Sequence, residues 1–314
     1  MKFKNATKIE GLLAAAFTAY NADGSVNLDY IPKLADHLYD QHLAGIFVCG
    51  TNGEGLSLAM DERKAIAEKY VQAVNKRMKV IVHVGHTSIS EAKTLAAHAQ
   101  AIGADAISSV CAFYFKPASE DLLTVSLSEI AGAAPELPYY YYHIPHITGV
   151  NVNLETLIPK IAAAAPNFAG IKFTSPAIHE YQDGLQICAD DHDMLYGFDE
   201  LLLPALSVGA KGAIGSTYNY AAPIYLQVMR LFADKKNQQA QDIQYQAIKM
   251  IKLIGKYGPI PAQRAIMEMI GFDMGSARLP LGTLSATEKS ELKSELEDVG
   301  FFQTLALCTE LLKR

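Results

Sequence analysis

Short apolar runs alternate along the chain with longer stretches in which apolar residues recur every three or four positions. The runs are Gly11–Thr18, Gly45–Cys49, Val80–Val84, Ala106–Ser109, Tyr139–His143, Gly170–Phe173, Met194–Tyr196 and Gly212–Gly215. Each has the length of a strand, and the segments between them, such as Ala65–Val74 and Glu91–Ala101, carry the period of an amphipathic helix. The pattern predicts eight strands, each followed by a helix, at about 20 to 35 residues per unit. Eight such units point to an α/β fold, a closed (β/α)8 TIM barrel. An open doubly wound sheet is the alternative, but it normally has fewer strands and a glycine-rich phosphate loop after the first. Here the first run leads into Ala19-Tyr-Asn-Ala-Asp-Gly-Ser, which is not such a loop.

Beyond Gly215 the pattern is helical. Pro223–Ala233 would close the barrel, with the proline tolerated in the first turn. Asn237–Lys256, Ala262–Ile270 and Ala286–Leu312 would form a C-terminal helical extension. The expected organisation is therefore a barrel over residues 1–234 carrying the active site and an extension over 235–314 packed on it as a single unit.

Composition narrows the function classes. Of 314 residues, 50% are hydrophobic and 19% charged, with a net charge of −6. That is ordinary globular composition, and the absence of basic runs argues against nucleic acid or an anionic membrane as partner. Cys49, Cys111, Cys188 and Cys308 are scattered without CxxC spacing, the usage of reduced thiols in a cytoplasmic protein. The start, MKFKNATKIEGLLAAAFTAY, is basic and then apolar like a signal peptide. Its apolar part is short and lacks a cleavage pattern, so it is read as the first strand. No run reaches the ~20 apolar residues that span a bilayer.

One residue breaks the apolar pattern. Lys172 stands alone inside Phe168-Ala-Gly-Ile-Lys-Phe-Thr-Ser175. An ammonium group in a buried strand loses its water, so it must reach outward, pair with a carboxylate, or lose its proton. In the last case it becomes a neutral nucleophile able to form a Schiff base with a carbonyl substrate.

In a barrel, reactive groups gather at the C-terminal strand ends. Strand two ends in Cys49-Gly-Thr-Asn-Gly-Glu54, where glycines let backbone amides face a cavity and grip a carboxylate or phosphate, or simply form a tight turn. The loop fits neither common nucleotide motif. Strand five ends in Tyr139-Tyr-Tyr-Tyr-His-Ile-Pro145. Alternation lets only one parity line the interior, and Tyr142 lies nearest the mouth, where a phenol can move a proton. Tyr139 is better explained as packing. Asp199 and Glu200, after strand seven, are either solvated caps or acceptors for a polyol. His83 and His86 have HxxH spacing, but no third ligand accompanies them and a metal is not expected.

With Thr51-Asn52-Gly53-Glu54, Tyr142-His-Ile-Pro145, Gly170-Ile-Lys172 and Gly215-Ser-Thr-Tyr-Asn219 in order, the chain resembles the N-acetylneuraminate lyase and dihydrodipicolinate synthase family. These are pyruvate-handling class I aldolases on (β/α)8 barrels, and the resemblance spans almost the whole chain. Within the family, Gly197-Phe-Asp-Glu200, the GSTYN segment and YYYYHIP resemble the lyase branch. The resemblance implies that Lys172 forms the imine and that Tyr142 transfers the proton. Thr51 and the amides of 51–52 would hold the substrate carboxylate, with Asn52 standing where the family usually has a second Ser or Thr. Thr174, Gly197, Asp199, Glu200 and Ser216 match positions that contact the sugar. Tyr114 matches a tyrosine that in relatives reaches a neighbouring subunit's site.

Synthases typically carry an arginine two residues after the YxxP proline to receive a second carboxylate. Here Ile147 occupies that place and cannot make a bidentate contact. The implied activity is cleavage of N-acetylneuraminate (sialic acid) to N-acetylmannosamine and pyruvate, with no cofactor, in a cytoplasmic homotetramer. Other family aldolases acting on amino-aldehyde or 2-keto-3-deoxy sugar acid substrates are the competing enzymes. A non-catalytic sugar sensor is the competing binding protein, and the intact Lys172 and Tyr142 pair argues against it.

Overall fold

The computed structural model describes residues 8–313. Eight parallel strands close into a barrel in chain order: β1 (Gly11–Ala15), β2 (Gly45–Val48), β3 (Lys79–His83), β4 (Ala106–Ser109), β5 (Tyr139–His143), β6 (Phe168–Phe173), β7 (Asp193–Tyr196) and β8 (Gly212–Gly215). The last strand pairs back to the first, Gly11 with Gly212 through Ala14 with Gly215. A helix or helical turn follows every strand. The TIM barrel is the fold, and all eight apolar runs are its strands; residues 1–7 of the N-terminal segment lie outside the described residues.

Alternation along the strands creates two cores. Leu13, Phe47, Ile81, Tyr140, Tyr142, Leu195 and Ile214 fill the barrel interior. Their sequence neighbours, including Ile46, Val80, Tyr139, Tyr141, Ile171 and Phe173, pack outward under the helices. The parity argument therefore divides the four tyrosines correctly. Tyr139 is a packing residue whose hydroxyl lies 2.7 Å from Ser109 Oγ, and Tyr142 faces inward.

The closing helix, Tyr218–Ala233, is interrupted at Ala221 (φ −126°, ψ 17°). Pro223 lies just past the break, where a missing N–H costs no regular helical bond. Asn237–Tyr257, Pro259–Met269, Ala286–Asp298 and Phe301–Leu312 follow. The single helix expected over Ala286–Leu312 is two, because Gly300 takes a left-handed conformation (φ +76°) that a side-chain-bearing residue adopts only at a cost. Among the described residues no helix is long and apolar enough to cross a membrane.

The extension is tied to the barrel mouth by buried charge. Glu54, in the loop after β2, has its side chain fully buried against the Arg264 guanidinium at 3.2 Å. Its other oxygen accepts the Arg278 backbone N–H at 3.0 Å, while Arg264 also donates to the carbonyls of Thr18, Met274 and Gly275. Removing one partner of a buried pair leaves the other charge uncompensated. Arg264→Met is accordingly expected to lower unfolding free energy by about 3 to 5 kcal/mol in urea titrations. The double variant with Glu54→Gln should lose less than that. A single-variant loss below about 1 kcal/mol, the range of an exposed pair, would contradict the assignment.

Candidate active site

Lys172 lies on the inward parity of β6 and is only 3% exposed. The register pairs its Cα directly with that of Tyr142 on β5 and with that of Leu195 on β7. Its Nζ sits 4.0 Å from the centroid of the Phe47 ring and 4.0 Å from that of Tyr142. Aromatic faces attract a cation but hydrate nothing, so burial pulls the amine down to about 7, with the Asp199 carboxylate opposing. Lys172 thus neither reaches outward nor forms an ion pair with a carboxylate among the described residues, and burial favours the loss of its proton.

Tyr142 is equally buried, and its ring meets those of Phe47 and His83 edge-on at 5.6 and 5.9 Å. Burial raises the phenol above its ordinary range, and the hydroxyls of Thr51 and Thr174 offset part of the rise. The phenol thus holds its proton at neutral pH. Behind it, His83 is neutral: burial, then Arg63 and Lys172, push it well below the usual imidazole range. Its Nδ1 lies 3.1 Å from the Cys49 carbonyl and its Nε2 accepts the Val110 N–H. Both ring nitrogens of the HxxH histidine are therefore engaged by backbone.

The polar rim collects most of the remaining expected residues. Thr51 is exposed in a small cavity that also touches His83, Tyr142 and Ile147. Asn52 beside it is buried, with its Nδ2 unpartnered. Thr174, one residue beyond β6, has a buried hydroxyl that makes no hydrogen bond of ordinary geometry but lies near enough to the Tyr142 phenol to ease charge there. Gly197 makes room for it, since a Cβ there would stand 2.0 Å from Thr174 Oγ1. A buried donor without an acceptor, such as Asn52 Nδ2, is what a ligand's oxygen would satisfy.

Asp199 and Glu200 part company. Asp199 is 5% exposed and accepts at Oδ2 from the Thr217 N–H (2.8 Å), the Thr217 hydroxyl (2.6 Å) and Ser216 Oγ (3.5 Å). Glu200 is half-buried, with burial raising its carboxyl. Tyr114 does not join the cluster within one chain. It is 77% exposed, beside Phe115 at 84%.

Sequence reasoning missed Phe47 and Thr217. Inward parity on β2 would have found the first; the GSTYN segment contained the second, but nothing local connects it to Asp199.

The model of the dihydrodipicolinate synthetase family matches residues 8–299. The chain belongs to that family. N-acetylneuraminate lyase A of Xenopus laevis is 42% identical, covering 87% of this chain and 91% of that protein. The human N-acetylneuraminate lyase is 38% identical over 94% and 93%. Among solved structures, Proteus mirabilis N-acetylneuraminate lyase superposes with a TM-score of 0.91 at 35% identity, covering 94% of this chain and all of that one. A dihydrodipicolinate synthase from Bacillus anthracis gives 0.87 at 26%, covering 92% and 98%. The family thus shares the barrel across substrates, and the relatives of higher identity carry the lyase name.

Proposed function

We propose that this chain is a carbon–carbon lyase that cleaves N-acetylneuraminate to N-acetylmannosamine and pyruvate. The observation that carries the mechanism is the desolvated Lys172 amine set beside the Tyr142 phenol on adjacent strands, inside the barrel mouth. A neutral amine attacks the C2 ketone of the open-chain sugar, and loss of water gives a protonated imine. The imine draws the electrons of the C3–C4 bond as that bond breaks and the C4 hydroxyl gives up its proton, with Tyr142 in the relay. N-acetylmannosamine leaves, the enamine takes a proton at C3, and water releases pyruvate and free Lys172.

Thr51, Asn52 and the backbone amides of their loop hold the substrate carboxylate. The unpartnered Nδ2 of Asn52 supplies a donor where the family usually has a hydroxyl. Thr174, Asp199, Glu200 and Ser216 meet the sugar hydroxyls, and Gly197 keeps the space open. A wrong sugar leaves those buried groups unpaired, which penalises its binding. Ile147, at the pocket wall, offers no charge to a second carboxylate. In a homotetramer, the exposed Tyr114 would reach a neighbour's site and the exposed aromatic pair would be covered.

The test has two arms. Pyruvate release from N-acetylneuraminate is measured beside condensation of pyruvate with aspartate semialdehyde, and borohydride reduction with pyruvate is followed by peptide mass mapping. Sialic acid cleavage and an adduct on Lys172 are the expected results. An adduct without cleavage would reassign the substrate, and no adduct on Lys172 would reject the Schiff-base mechanism.

A further inference from the structure

Thr217 occupies the N-cap of the helix Tyr218–Ala233, yet its side chain makes no cap bond to that helix. Threonine at this position ordinarily accepts a hydrogen bond from the first-turn amides. Here the hydroxyl donates instead to Asp199 Oδ2 at 2.6 Å, and its backbone N–H donates to the same oxygen at 2.8 Å. The Tyr225 hydroxyl lies 2.7 Å from Thr217 Oγ1. Because the single Thr217 proton goes to the carboxylate, Tyr225 is the donor in that contact. Thr217 and Tyr225 are both buried, so the three groups form a closed chain from the helix to the carboxylate.

The other carboxylate oxygen, Oδ1, lies over Gly215, where a Cβ would approach it to 1.9 Å. The carboxylate is therefore fixed from two sides: by hydrogen bonds at Oδ2 and by a glycine shelf at Oδ1. The charged groups around it are Lys172 from β6 and Glu200 from its own turn. Tyr142 from β5 and Tyr218, Tyr220 and Tyr225 from the closing helix also face it, and burial keeps each of these phenols protonated.

We propose that Thr217, backed by Tyr225, is a positioning residue that holds the Asp199 carboxylate in place and favours its charge, and through it sets the charge balance at the Lys172 amine. This rests on the proposed imine at Lys172. Burial opposes the charge on Asp199, and the Thr217 hydroxyl and amide are the first forces offsetting it. The Asp199 charge in turn favours protonated Lys172. Weakening the Thr217 bond thus weakens the hold on the amine's proton, and the neutral nucleophile persists to lower pH.

The test is the pH dependence of cyanoborohydride trapping of pyruvate on Lys172, read by intact mass, for the wild type, Thr217→Val, Thr217→Ser and Tyr225→Phe. The wild-type midpoint is expected near the amine's value of about 7. Thr217→Val should move it downward by on the order of half a pH unit or more, and Tyr225→Phe by less in the same direction. Thr217→Ser should restore it. In an Asp199→Asn background, Thr217→Val should add no further shift, since both act through one carboxylate. A purely structural threonine would change the melting temperature and leave every midpoint in place. Unmoved midpoints in Thr217→Val and Tyr225→Phe, or an undiminished shift in the Asp199→Asn background, would overturn the proposal. An absence of trapping in the wild type would instead reject the proposed reaction itself.

Discussion

Lys172→Met is expected to lower turnover by at least about 10⁴-fold while making the protein more stable. The two effects have one cause. The amine is buried against Phe47 and Tyr142 with its charge opposed by desolvation, so the folded state carries a cost that a thioether of similar length removes. The expected gain is about 1 to 4 kcal/mol at pH 6 in urea titrations. Its pH dependence has a definite sign. The folded amine loses its proton near pH 7 and the unfolded one near the ordinary lysine value of 10.5, so between those values the unfolded state binds more protons. Wild-type stability due to this residue then rises with pH across that window and is lowest below it. The advantage of the methionine variant should be greatest below pH 7 and shrink towards pH 10.5. A variant that is inactive and also less stable at pH 6 would mean that an attraction stronger than the desolvation cost holds Lys172 in the folded state.

The barrel was legible because its strands are apolar on both faces and its helices on one, so the alternation survives in the sequence. Lys172 was legible for the same reason: a lone charge is conspicuous only where everything around it must be dry. Tyr142 followed from parity. What escaped sequence reasoning depends on distance along the chain. Thr217 and Asp199 are 18 residues apart and Glu54 and Arg264 are 210 apart, and no local pattern links such pairs. Asp199 and Glu200 are adjacent in sequence but differ in burial, because the turn after β7 folds one beneath Thr217 and leaves the other half-exposed. The break at Gly300 shows the converse. The amphipathic pattern continues across it, and only the glycine's backbone conformation separates the two helices.

These placements divide the mouth of the barrel into an aromatic part and a polar part. The amine needs a dry, aromatic wall to stay neutral, and β2, β5 and β6 supply it through Phe47, Tyr142 and the inward face of the strand. The loops after β6, β7 and β8 bring polar groups, Thr174, Asp199 and Ser216 among them, to one side of the barrel. Asp199 links the two parts: it is held by the groups after β8 and its charge favours the protonated form of Lys172.

Tyr142→Phe separates imine formation from bond cleavage. The phenol lies beside the amine without a covalent role, so the variant should still be trapped by borohydride with pyruvate at Lys172. Turnover of N-acetylneuraminate should fall by about 10²- to 10⁴-fold, the range for loss of a positioned proton-transfer group. The Michaelis constant should change little, because the ring that packs against Phe47 and His83 is retained. Burial holds the phenol above its ordinary range, so a free phenolate is disfavoured and the proton must be handed on as it is received. The hydroxyls of Thr51 and Thr174, whose approach lowers the cost of charge on Tyr142, are the adjacent groups for that hand-over. Single-turnover measurements distinguish the cases. If carbon–carbon cleavage proceeds at the wild-type rate in the phenylalanine variant, the proton leaves the C4 hydroxyl by another route and Tyr142 serves only as a wall for the amine.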